Sequence, residues 1–155
     1  MTALRRPLLI AIAALLAALG AAVGGAAAQE VRLNGMAGEH LADADMAKGV
    51  TIVIVWASWS PRSHDLVERV KPLAAHWGGQ AHMVTVDFEE DRKAIQLFLV
   101  GKQLSLPVFL DSDGAFSKKY AVATLPGLLI IKDGAVAYRG KLTDDADRII
   151  ADALH

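Results

Sequence analysis

The chain has 155 residues, 16 Lys and Arg against 17 Asp and Glu, a formal net charge of −1, and no cysteine. That length holds one domain plus a leader. Without cysteine this chain has no disulfide, no thiolate nucleophile and no cysteine-ligated metal, and no basic stripe interleaved with aromatics offers itself to nucleic acid.

Residues 1–28 carry the pattern of a signal peptide. Arg5 and Arg6 form a positive start, Pro7 to Val23 is an apolar run, and Ala26 and Ala28 make an Ala-x-Ala cleavage pattern before Gln29. The run is also about long enough to span a bilayer, since roughly 20 apolar residues suffice. Its many alanines and small-residue end favour cleavage over retention as an anchor. Cleavage leaves residues 29–155 as one domain, with 14 basic against 17 acidic side chains and a charge of −3. Export to the periplasm follows, with membrane contact only if the leader is retained.

In chain order, Val31 and Leu33 fit a short first strand, Asn34-Gly35 is a turn signal, and His40 to Lys48 fits a helical turn or two ending at Gly49. Residues 50–57, Val-Thr-Ile-Val-Ile-Val-Trp-Ala, are nearly continuous apolar β-formers, as a parallel strand buried on both faces requires. Residues 61–77 then switch to helical period. Leu66, Val70, Leu73, Ala74 and Trp77 share one face, Ser60 or Ser63 is placed to cap, Pro61 suits the first turn, and Pro72 should kink the helix. Gly78-Gly79 ends it.

Residues 81–88 predict another strand. Glu89-Glu90-Asp91 predicts an acidic, solvated helix start, where the macrodipole favours negative charge. Ile95, Phe98, Leu99 and Lys102 share that helix's face. Leu106 to Leu110 is short and extended, Asp111 to Gly114 is a turn, and a short helix runs to Tyr120. Residues 126–131 predict a strand, Asp133-Gly134 a hairpin turn, and residues 135–139 the return strand. Thr143 is placed to cap a last helix through Leu154. Strands joined through helices, then a hairpin and a terminal helix, predict an α/β fold: a central mixed β-sheet with helices on both faces.

Four stretches of this order resemble the thioredoxin-like superfamily, in its TlpA/ResA-like periplasmic branch. They are Val55-Trp-Ala-Ser-Trp-Ser-Pro-Arg-Ser63; Val84-Thr-Val-Asp87 before an acidic helix start; Leu106-Pro-Val-Phe-Leu-Asp-Ser-Asp-Gly114 before a helix ending Lys119-Tyr120; and Thr124-Leu-Pro126 ahead of Leu128 to Gly134. The resemblance covers residues 50–154 and implies the thioredoxin fold. It also implies thiol–disulfide exchange, in which a cysteine at a helix N-terminus attacks as thiolate and a second resolves the mixed disulfide. Those two positions are Ser60 and Ser63 here. A serine hydroxyl stays protonated at neutral pH and forms no disulfide.

Three further positions take their meaning from the resemblance. Ile54 stands six residues before Ser60, where this fold often has Asp or Asn, and leaves no proton acceptor there. Pro126 matches the family's cis-proline, and Leu125 before it lends backbone groups to an extended peptide; the same proline equally serves to shape the fold. Trp59, beside the tetrad, matches a tryptophan that tends to be exposed and is the better binding candidate, with Trp56 more deeply placed.

Serine catalysis has little support: no Gly-x-Ser-x-Gly elbow is present, and His64, next to Ser63, should point to solvent. His40, His64, His76, His82 and His155 show no i, i+4 ligand spacing and none adjoins a carboxylate cluster, so no metal and no cofactor are expected. Two functional readings follow. One is a non-redox module that binds an exported protein or peptide through Trp59, Pro61, Arg62, Leu125 and Pro126, or that serves as a structural or assembly factor. The other is a thiol–disulfide oxidoreductase, serving for example cytochrome c maturation, whose cysteines at 60 and 63 have been substituted by serine.

Overall fold

The computed structural model of the protein describes residues 29–155; the leader expected over residues 1–28 lies outside them. Seven strands and four helices follow one another as β1 (Arg32–Gly35), β2 (His40–Ala42), β3 (Val50–Trp56), α1 (Leu66–Trp77), β4 (His82–Phe88), α2 (Arg92–Leu99), β5 (Val108–Asp111), α3 (Ala115–Lys119), β6 (Gly127–Lys132), β7 (Ala135–Lys141) and α4 (Ala146–Leu154). The strands form one mixed sheet in the order β2-β1-β5-β4-β3-β6-β7. β3 pairs parallel with β4, and β4 with β5, while β6 runs antiparallel to β3 and β7 to β6.

Because β3 lies at the centre, successive side chains point to opposite faces and every residue from Thr51 to Trp56 is buried. Ile52, Ile54 and Trp56 join Leu66, Val70 and Trp77 of α1, Ile95 of α2 and Ile150 of α4 on one face. Val53 and Val55 join Leu33, Leu41, Met46 and Phe116 of α3 on the other. Helices thus cover both faces, as the order of elements predicted.

Local expectations fail where tertiary pairing overrides them. Asn34-Gly35 is not a turn: β1 runs through Gly35, which is paired with Phe109 of β5, and its N–H donates to Glu39 O at 2.7 Å. Residues 40–48 are not helical throughout. Leu41 pairs with Leu33 in a hairpin, and only Asp43–Met46 forms a 3-10 turn.

The helix predicted from residue 61 is split. Pro61–Ser63 is a 3-10 turn, and α1 begins at Leu66, continuing through Pro72 to Trp77. Pro72 is exposed there, so the carbonyl it leaves without an N–H partner faces water. β7 extends two residues past Arg139, to Lys141. α4 begins at Ala146 behind Asp145, and Thr143 contributes its backbone carbonyl to Ala146 N–H instead of a side-chain cap. The Asp133-Gly134 turn is as expected: both residues have positive φ, 50° and 78°, the combination that matches a two-residue hairpin to strand twist.

Candidate functional site

The strand-to-helix turn after β3 carries the tetrad and faces the loop before β6. Trp59, Ser60, Pro61 and Arg62 line one side of an open groove of about 580 Å³. Val122, Thr124 and Leu125 line the other side, and Phe88 and Ser117 also border it. Trp59 is 60% exposed, an unusual state for the largest apolar side chain, whereas Trp56, three residues earlier, is fully buried. Their separation follows from the end of the strand: Trp56 is the last residue of β3, and the chain turns before Trp59.

Ser60 stands at the N-cap of the 3-10 turn Pro61–Ser63, but neither serine hydroxyl makes a capping bond. Ser60 Oγ instead faces Leu125 O at 3.5 Å, and Ser60 N–H donates to Ala57 O at 3.1 Å. Ser63 is fully buried and its hydroxyl has no partner among the described residues. No histidine is hydrogen-bonded to either hydroxyl; His64 is exposed. The remaining predicted residue, Pro126, follows a cis peptide bond from Leu125. It is buried and borders a separate shallow cleft of about 340 Å³, and Pro61 and Arg62 belong to both hollows and form the ridge between them. The structure therefore gathers Trp59, Ser60, Pro61, Arg62 and Leu125 in one groove, puts Pro126 behind the ridge, and leaves Ser63 in the core.

Leu125 is in no strand, and its N–H has no hydrogen-bond partner among the described residues. The loop before it runs close to Gly127: a Cβ there would meet Thr124 O at 2.8 Å and Val122 Cγ1 at 3.1 Å. Glycine is thus what lets the groove's second wall lie against the start of β6.

Sequence reasoning missed a buried acidic cluster beside the groove. Asp87, near the end of β4, is fully buried, and neither of its carboxyl oxygens has a hydrogen-bond partner among the described residues. Burial, then the adjacent Glu90 carboxyl, then Asp111 push its pKa up to about 9, so at neutral pH it is a neutral acid. Glu90, expected in a solvated helix start, instead accepts from the Ser58 N–H at 2.6 Å and from the Ser58 hydroxyl. Only Asp91 of the acidic run acts as a cap, accepting from Ala94 N–H at 2.8 Å. A carboxylate ending an otherwise apolar parallel strand was the available signal, since ligands gather at the carboxyl ends of such strands. On the surface, His76 Nδ1 lies 2.6 Å from Asp147 Oδ1, which also accepts from Trp77 Nε1 at 2.9 Å.

The class these features define is the thioredoxin fold. Known proteins place the chain further. No known family's sequence profile matches it. It is 28% identical over 87 residues to the sporulation thiol-disulfide oxidoreductase A of Bacillus subtilis, a match covering 54% of this chain and spanning about half, 53%, of that relative. Among solved structures, a putative thiol:disulfide interchange protein DsbE from Chlorobium tepidum superposes with a TM-score of 0.70 at 21% identity, covering 83% of this chain and 95% of that one. A pneumococcal exposed lipoprotein thioredoxin from Streptococcus pneumoniae gives 0.69 at 20% identity, covering 81% and 98%. By sequence and by structure, then, its relatives are thioredoxin-like thiol–disulfide oxidoreductases, and this chain has no cysteine with which to perform that exchange. Among the described residues, no helix is long and apolar enough to cross a membrane.

Proposed function

We propose that this chain is an exported, periplasmic thioredoxin-fold protein that holds an extended polypeptide in the Trp59–Leu125 groove without redox exchange. One observation carries the reading. An open apolar groove keeps an exposed tryptophan on one wall and, on the other, the backbone N–H of Leu125, which has no partner among the described residues. An aromatic face takes an apolar side chain, and a free N–H takes a carbonyl of a passing chain, as when a strand is added to an open edge. Arg62 adds one cation at the rim, which suits a partner with acidic residues beside the apolar one. The export half rests on the leader pattern of residues 1–28 and on likeness to an exposed lipoprotein.

The test is calorimetric titration of the protein with reduced, carboxymethylated lactalbumin, a permanently unfolded and thiol-blocked polypeptide. Binding by the natural chain, reduced at least about tenfold by Leu125→Asp, supports the reading. Equal binding by both proteins, or none by either, refutes it.

A second reading is favoured by the relatives: a thiol–disulfide oxidoreductase whose cysteines at 60 and 63 have been replaced by serine. The codons of the unaltered gene decide it. Its biochemical counterpart is the Ser60→Cys, Ser63→Cys pair, which on this reading closes a disulfide and gains dithiol-dependent insulin reduction. Failure to oxidise would count against it.

A further inference from the structure

The apolar groove is one of two hollows that meet at the tetrad. The other is the shallow cleft of about 340 Å³ beyond the Pro61–Arg62 ridge. Arg62 is the one charged residue on the groove, whereas the cleft adds Arg69, Lys141, Asp65 and Asp144, with His64 at its edge.

These charges do not cancel. Arg69 is taken up within the fold: its guanidinium donates to Leu142 O and lies 3.9 Å from Asp65, one helical turn earlier. That leaves Arg62 and Lys141, both exposed, whose side chains have no hydrogen-bond or ion-pair partner among the described residues. The one other carboxylate in the cleft is that of Asp144, likewise exposed. The cleft is therefore a net cationic spot on a domain with 14 basic against 17 acidic side chains.

The cleft is also built onto the groove's second wall. Leu142 N–H donates to Pro126 O at 3.0 Å, and Lys141 stands opposite Gly127 in the β6–β7 ladder. The backbone of Lys141 is thus tied beside the Leu125–Pro126 pair, while Arg62 comes from the tetrad. Exposed cations contribute little to folding. Two of them beside an apolar groove instead bias which polypeptide settles there.

We infer that the cleft is a carboxylate subsite of the groove. A polypeptide with an apolar side chain against Trp59 places a neighbouring Asp or Glu carboxylate between Arg62 and Lys141. The inference rests on the groove reading above and names its partner class: extended segments in which acidic residues flank an apolar one. The same two cations turn basic segments away.

The experiment is calorimetric titration of the full chain with synthetic peptides that share a central leucine. Both sides of the leucine carry paired aspartates, asparagines or lysines; a fourth peptide keeps the aspartates and has serine at the centre. At about 50 mM salt the aspartate peptide should bind at least about fivefold tighter than the asparagine one, and the lysine peptide weakest. The order should flatten by about 0.5 M salt, where exposed charges are screened. Lys141→Glu should cost the aspartate peptide at least about fivefold and leave the asparagine peptide within about twofold. Lys93→Glu makes the same change of net charge on an exposed residue of α2, outside both hollows, and should keep the original order.

Three leucine peptides of equal affinity at low salt overturn the inference and leave the groove reading standing. Equal effects of Lys141→Glu and Lys93→Glu also overturn it, because net charge and not the cleft then sets the preference. A serine-centred peptide that binds as tightly as its leucine counterpart shows that the two hollows do not serve one polypeptide. If no peptide binds the natural chain, the groove reading itself fails and takes the subsite with it.

Discussion

Ser60 Oγ lies 3.5 Å from the carbonyl oxygen of Leu125, so two segments 65 residues apart meet as the two walls of one groove. At that distance the contact is too long to be a strong O–H···O bond. Replacing Ser60 by Ala should therefore change stability by no more than about 0.5 kcal/mol and leave polypeptide binding within about twofold. Urea unfolding and calorimetry check both. A large loss of either would mean that the hydroxyl is a working part of the site.

The two tryptophans flanking this turn should separate stability from binding. Trp56 is fully buried and packs on Phe98 with ring centroids 5.0 Å apart, so Trp56→Ala should cost about 3–5 kcal/mol. Trp59 is 60% exposed. Trp59→Ala should leave stability within about 0.5 kcal/mol while weakening polypeptide binding by about 2 kcal/mol, as aromatic anchors do. Chemical unfolding and titration of both variants read the split; a Trp59→Ala protein that binds normally removes the aromatic wall from the account.

Stability should fall as pH rises, because of Asp87. Its folded-state pKa of about 9 lies above the ordinary value of 3.8. Between those values the folded protein keeps a proton that the unfolded chain has lost. Each pH unit in that window then favours the unfolded state by up to about 1.4 kcal/mol; below it both states are protonated and the penalty vanishes. Asp87→Asn removes the proton linkage. Its stability relative to the natural protein should improve by up to about 4 kcal/mol on going from pH 5 to pH 8, measured by urea unfolding. Parallel pH dependences would show that Asp87 ionises normally.

Gly127→Ala should disturb the groove's second wall. The added Cβ would meet Thr124 O at 2.8 Å, a backbone atom that cannot turn aside. A cost of about 1–3 kcal/mol is expected, with amide shift changes concentrated at residues 122–125. A neutral substitution would indicate that this loop moves freely, and the groove would lose its fixed shape.

Much of this architecture is legible in the sequence wherever a segment's own pattern agrees with its neighbours. The apolar β-branched run of β3, the heptad-like face of α1 and the Asp133-Gly134 turn each have one low-energy solution. Misreadings arise where the deciding partner is distant. Gly35 continues a strand because Phe109 pairs with it, and Leu41 is a strand residue because Leu33 lies opposite. The groove was legible in part, since Trp59 to Arg62 and Leu125 sit in patterned motifs. The hold of Glu90 on Ser58 spans 32 residues, and nothing within the acidic run distinguishes its middle residue from a solvated one. Ser63 lies buried at the end of the 3-10 turn Pro61–Ser63.

The central claim is that the groove takes a polypeptide although the chain has no cysteine. Nitrogen-resolved NMR of the full chain, with carboxymethylated lactalbumin added in steps, tests it most directly. The claim predicts that the Leu125 amide and the Trp59 indole N–H shift together and saturably, while the buried Trp56 and Trp77 signals stay in place. Shifts confined to other surfaces, or none at all, would contradict it.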